Sequence, residues 1–233
     1  MLPAPNLLLF AAISAVFAAA GRLVRGVTIS GGIAGAVVCF ALLWAAGIGG
    51  FAALFTVFIL TWACTKFGYA KKQRLGTAEG RSGRDAWQVV ANLGIASACA
   101  LAFLALREPR WLVAMGAALA EAAADTVSSE IGQAAGGEPR VVTSWTSVPV
   151  GTNGAVTVTG SAAGILAAAM VALVCYVTSI FGLRGGLVSA CAGVAGMIGD
   201  SVLGATVERR QMMGNNGVNF VSTAIAATVA LLL

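Results

Sequence analysis

The chain has 233 residues, 59% of them hydrophobic and only 10% charged, with a net charge of +5 and a mean hydropathy of +0.91. So small a charged fraction cannot cover a water-soluble globule, where roughly 25% is usual, which excludes most soluble classes. The positive charge lies between apolar blocks with only Phe67 and Tyr69 interleaved in its basic loop, so membrane lipids rather than nucleic acid are its expected partners.

Eight apolar segments are expected, at about 7–20, 27–47, 48–65, 87–106, 111–127, 158–181, 185–207 and 218–233. They predict an all-α, polytopic membrane bundle of seven to eight transmembrane helices, forming a single domain over 1–233. The stretch from Met1 to Asn6 holds no basic or arginine-rich run, so the first segment is expected to be kept as a membrane helix. Gly31, Gly32 and Gly35 in the second segment, and Gly193, Gly196 and Gly199 in the seventh, have the small-residue spacing that lets helix backbones approach closely. The cysteines at 39, 64, 99, 175 and 191 all lie in apolar segments without a CxxC, as small buried hydrophobes do.

After the third segment comes a basic loop holding Lys66, Lys71, Lys72, Arg74, Arg81 and Arg84, with glycines at 76, 80 and 83. Most of that charge suits an orienting anchor. Arg81 and Arg84, however, flank a glycine just before a helix start, a place suited to anions. Gln88 and Asn92 then fall four apart on one face of the fourth segment.

The fifth segment carries Glu121 and Asp125 on one face, followed by Ser128, Ser129 and Glu130. Two carboxylates a turn apart repel, and each is costly in hydrocarbon, so a divalent cation or a neutralising partner is expected. The seventh segment repeats the theme with Asp200-Ser201-Val202 against Asp125-Thr126-Val127. Between them lies Gly151-Thr152-Asn153-Gly154, whose composition suits a phosphate cradle at a helix start, although no GxxxxGK[ST] P-loop occurs. The last polar loop adds Asn215, Asn216 and Asn219. With eight spans, eleven of the fourteen Lys and Arg residues fall on one side and only Arg107, Arg110 and Arg184 on the other. The positive-inside rule makes the first side cytoplasmic and the N-terminus external in a prokaryotic-type cytoplasmic membrane. All the polar motifs share that side. Histidine is absent, so any chemistry rests on carboxylates, cations, hydroxyls and amides.

These motifs resemble the transmembrane protein 19 family, whose plant and cyanobacterial members include phytyl-phosphate kinase. The resemblance is carried by Lys66-Phe-Gly-Tyr-Ala-Lys-Lys72, Gly83-Arg84-Asp85, Gln88 to Asn92, Ala124 to Gly132, Gly151 to Gly154, and Gly199 to Thr206. One departure is Leu93 where a glycine is expected after Asn92. The family is also distantly similar to dolichol and phytol kinases and to CDP-diacylglycerol synthases. The resemblance implies a membrane kinase that converts an isoprenoid monophosphate to the diphosphate, using Mg²⁺ and CTP or another nucleoside triphosphate. It implies Asp125, Asp200 and Glu121 or Glu130 as metal ligands. Lys71 and Arg84 would act in catalysis, and Lys66, Lys72, Arg81, Gln88, Asn92, Ser129, Ser201, Asn216 and residues 151–154 would bind substrate or nucleotide. A cytidylyltransferase forming a CDP-lipid, and a transporter or flippase for a phosphorylated lipid, remain open, as does the oligomeric state.

Overall fold

A computed structural model describes residues 6–233; residues 1–5, on which part of the expectation about the N-terminus falls, lie outside the described residues. The chain is helical almost throughout: α1 (Leu7–Leu23), α2 (Ile29–Lys66), α3 (Tyr69–Leu75), α4 (Ala86–Leu106), α5 (Arg110–Ala135), α6 (Val158–Val177), α7 (Leu183–Leu203) and α8 (Asn215–Leu232). A two-stranded sheet pairs β1 (Arg140–Val141) with β2 (Ala155–Val156), antiparallel, with Arg140 opposite Val156. Among the described residues, five helices are long and apolar enough to cross a membrane: α2, α4, α6, α7 with its continuation to Glu208, and α8. This is an all-α membrane architecture.

The second and third apolar segments appear as one element, α2, interrupted at Gly47, where φ is 58° and ψ −147°. That backbone region is open to glycine almost alone. A Cβ on Gly50 would run into the carbonyl oxygen of Leu42. Residues eight apart in a straight helix are about 12 Å apart along the axis. The chain therefore reverses at Gly47, and its two halves lie against each other.

Contacts between loops gather several polar loops at one end of the bundle. At that end the backbone of Arg84 bridges to the turn after α1, its N–H donating to Gly26 O (3.0 Å) and its carbonyl accepting from Thr28 N (2.9 Å). Gly83, at φ 81°, passes within 2.5 Å of Gly26 and Val27 as measured from an added Cβ, so only glycine fits there. Lys71 Nζ donates to Ala134 O (2.9 Å) at the end of α5. At the opposite end Gly49 lies against Thr178 and Ile180, and Arg184 donates to Leu233 O (3.0 Å).

α5 is the axis of the bundle. Its run of buried Ala and Gly, from Ala114 to Ala124, lets α6, α7 and α8 press against it. A Cβ on Gly164 of α6 would sit 2.8 Å from Ala124 O and 2.9 Å from Ser128 Cβ. A Cβ on Gly193 of α7 would sit 2.7 Å from Ala120 Cβ. In lipid, where apolar burial gives helices little drive to associate, such close backbone packing supplies the cohesion. Its 26 residues span about 39 Å. Its carboxylates keep it below the hydropathy of the other long helices, and those helices enclose it.

Candidate functional site

The close packing of α5 and α7 sets the geometry of the site. Gly196 of α7 leaves room for the Glu121 side chain, and one turn further on Asp125 and Asp200 face each other within hydrogen-bonding reach. Asp200 Oδ2 is buried without a hydrogen-bond partner. The helix of α7 then widens into a π turn, Gly204–Glu208, a distortion common at functional sites. Against this turn packs Gly151-Thr152-Asn153-Gly154. Gly154, at φ 72°, is so close to Ala205 that a Cβ there would overlap Ala205 N, while Gly204 touches Gly154 N.

These elements line a polar cavity of about 330 Å³. Asp125, Ser128 and Ser129 line one wall, Asp200, Ser201 and Glu208 the second, and residues 151–154 with Asn215 the third. Among the described residues, no group of three or more carboxylates or cysteines converges tightly enough to hold a metal ion. Two facing aspartates, one with an unpartnered oxygen, do fit a Mg²⁺ ion, which takes one or two carboxylates and completes its shell with phosphate oxygens and water.

A second cavity, of about 90 Å³, lies on the other side of α5, between α1, both halves of α2 and α4. Its depth is apolar, lined by Phe17, Leu54, Val57, Phe58 and Leu93. Its mouth is polar, with Arg25, Lys66, Arg84, Glu79 and Gln88. Arg84 Nη2 donates to Thr126 Oγ1 (3.2 Å), the residue next to Asp125, so the guanidinium stands where the two cavities approach each other.

The structure thus brings Asp125, Asp200, Ser129, Ser201 and residues 151–154 to one cavity, and Lys66, Arg84, Gln88 and Asn92 to the other. Several expectations are revised. Lys72 is fully buried, and its ammonium donates to Cys64 O (3.0 Å), Thr65 O (2.9 Å) and Glu130. All three of its donors are used, so it has none for a phosphate. Glu130, which also accepts from Thr65 Oγ1 (3.0 Å), is correspondingly withdrawn from any metal. Glu121 sits one turn behind the cavity, sealed between Gly196 and Ser222, and does not line it. Lys71 caps α5, and Arg81 and Asn216 are exposed outside both cavities.

The expected anion site before α4 is filled by the protein itself. Asp85 caps the helix, accepting from Gln88 N (2.9 Å), and Gln88 Oε1 accepts from Asp85 N (3.0 Å), a capping box. Gln88 Nε2 also donates to Glu79 (3.2 Å). Asn92 donates to Gln88 O (2.8 Å) and accepts from Asn219 of α8 (3.3 Å). The 151–154 turn does not open a helix directly either: β2 follows it, and Thr157 caps α6 by accepting from Gly160 N (3.0 Å). Sequence reasoning missed Thr126, Arg25 and Ser222; the last lies against both Glu121 and Asp200. Their only signal was polarity within or beside an apolar run.

Residues 12–227 match the family described as integral membrane protein DUF92. An uncharacterized membrane protein of Methanocaldococcus jannaschii is 32% identical over 205 residues, covering 87% of this chain and 84% of that protein. An uncharacterized membrane protein of Synechocystis is 33% identical, covering 82% of this chain and 76% of the other. The chloroplastic protein VTE6 of Arabidopsis thaliana is 31% identical, covering 91% of this chain and 66% of its own length. No solved structure matches the chain. The chain belongs to the DUF92 family of integral membrane proteins.

Proposed function

We propose that this protein is a membrane-embedded phosphotransferase that converts an isoprenoid monophosphate, phytyl phosphate or a similar prenyl phosphate, to the diphosphate. Its phosphoryl donor is CTP or another nucleoside triphosphate. The carrying observation is the pair Asp125 and Asp200, facing each other across from the Gly151–Gly154 turn in a polar cavity, with Asp200 Oδ2 unpartnered. The resemblance to the family that includes phytyl-phosphate kinase supports the substrate class, and the match to VTE6 of a plant chloroplast is in keeping with that family. We read seven to eight spans with this cavity on the cytoplasmic face, a reading supported by the reversal at Gly47 and the bias of Lys and Arg toward the polar loops.

In this reading the triphosphate lies along the 151–154 turn, which lines the polar cavity and whose two positive-φ glycines seat it closely against Thr77 and Ala205. Asp125 and Asp200 would hold Mg²⁺, which would offset the charge of the triphosphate. Arg84 holds the acceptor phosphate beside Thr126. An oxygen of the acceptor phosphate forms a bond to the terminal phosphorus of the donor, the bridging P–O bond breaks, and the nucleoside diphosphate leaves. The acceptor is already ionised, so no general base is needed. Positioning and charge neutralisation carry such a transfer, which suits a site without histidine.

The test is to incubate the purified protein with farnesyl phosphate, CTP and Mg²⁺ and measure the prenyl diphosphate by mass spectrometry. The wild type is expected to form it, and Asp125→Asn and Asp200→Asn to lose it while staying folded in detergent. Full turnover by either variant overturns the metal role, and no diphosphate from the wild type with any donor overturns the kinase.

A further inference from the structure

We propose that the apolar cavity between α1, α2 and α4 is the chamber for the chain of a single-chain anionic amphiphile, held with its phosphate at Arg84 and its chain running inward toward Leu54 and Gly35. That the amphiphile is a prenyl phosphate rests on the phosphotransferase reading; the chamber itself rests on its own lining.

The chamber is divided chemically along its length. At the mouth stand three cations, Arg25, Lys66 and Arg84, and one carboxylate, Glu79. Glu79 is already engaged by Gln88 Nε2 (3.2 Å), and its backbone carbonyl by the Tyr69 hydroxyl (3.0 Å), so the cations dominate. An anionic head is favoured there, all the more where water is partly excluded. Further in, the walls are aromatic and aliphatic, which favours a hydrocarbon chain over a polar ligand. The α2 wall runs from Lys66 at the mouth to Leu54 in the depth, about 18 Å at 1.5 Å per residue. The loop that closes the mouth is tied down by backbone bonds from Arg84 to Gly26 and Thr28.

Connection to the polar cavity gives the chamber its direction. Arg84 belongs to the chamber lining, yet its Nη2 contacts Thr126, beside Asp125. A phosphate at this guanidinium would lie at the edge of the aspartate site, with the chain pointing the other way.

Gly35 supplies the test. It lines the chamber, and a Cβ added to it meets nothing within 4 Å, so a larger side chain there enters free space. The first measurement uses the full wild-type chain and a farnesyl phosphate analogue with a diazirine at the chain end, mapped by peptide mass spectrometry. The expected labels fall on peptides holding Phe17, Leu54 or Leu93, and unlabelled farnesyl phosphate competes them away. Labels confined to lipid-facing residues such as Val37 or Leu101, or no competable label, overturn the chamber. The second compares Gly35→Leu with wild type: labelling by a longer, geranylgeranyl analogue is expected to fall about tenfold more than by a shorter, geranyl one, the scale on which a pocket senses a few methylenes. An equal change for both lengths overturns the assigned chain direction. Chamber labelling without any diphosphate product would sink the kinase and keep the site, whereas diphosphate product with labels elsewhere would do the reverse.

Discussion

Replacing Lys72 with Met isolates a buried ion pair, that of Lys72 with Glu130, whose lysine had been expected to bind substrate or nucleotide. Lys72 is fully enclosed, donates to two carbonyls and pairs with Glu130, whose side chain is itself only 11% exposed. Removing one partner of a buried pair leaves the other charge uncompensated and costs about 3–5 kcal/mol. For a chain of this size that corresponds to roughly 6–20 °C in Tm, at about 2–4 °C per kcal/mol. Thermal unfolding in detergent, followed by circular dichroism, reads it directly. The paired variant Lys72→Met with Glu130→Met removes both charges and is expected to recover most of the loss. Nucleotide binding by the folded double variant should match wild type. A Lys72→Met protein that is as stable as wild type but no longer binds nucleotide would refute the structural assignment and return Lys72 to the substrate site.

Three further outcomes follow from the same geometry. Gly164→Ala forces a methyl against Ala124 O and Ser128 Cβ and should lower stability by about 1–3 kcal/mol in the same melt, whereas Gly35→Ala, with open space around it, should change it little. Gly47→Ala, at φ 58° and ψ −147°, should cost about 1–3 kcal/mol and reduce the yield of folded protein, since the reversal inside α2 depends on that conformation. Arg84→Gln should lower prenyl phosphate turnover by about 10²–10³-fold with CTP binding intact, read by steady-state kinetics against nucleotide titration; Arg84→Lys should recover only part, since the Thr126 contact uses one arm of the guanidinium.

Asp125 and Asp200 were legible in the sequence because a carboxylate inside an apolar run has a high cost and therefore a reason to be there. Their common depth could also be read, since both lie near the ends of helices that finish on the same side. Pairing between distant residues could not. Lys72 and Glu130 are 58 positions apart, and nothing local distinguishes a lysine that anchors a helix from one that meets a phosphate. Gln88 looked like an unpartnered polar group in a span, but its capping role depends on Asp85 adopting the extended backbone of an N-cap. The expected division between segments 27–47 and 48–65 falls at Gly47, where the backbone leaves the helix, although periodicity alone cannot tell a reversal from a continuous helix of 38 residues. Glu121 shared a face with Asp125, as its spacing required, yet the contact of Gly196 and Ser222 with that face seals it away from the cavity.

The central claim is transfer of a terminal phosphoryl group to a lipid phosphate, and positional labelling tests it most directly. The purified protein is incubated with Mg²⁺, farnesyl phosphate and CTP labelled either at the γ or at the α phosphorus, and the lipid products are separated. The γ label is expected in farnesyl diphosphate, and none from the α position. Label from the α position would make the protein a cytidylyltransferase, and a lipid fraction with no label from either would contradict phosphoryl transfer and favour transport.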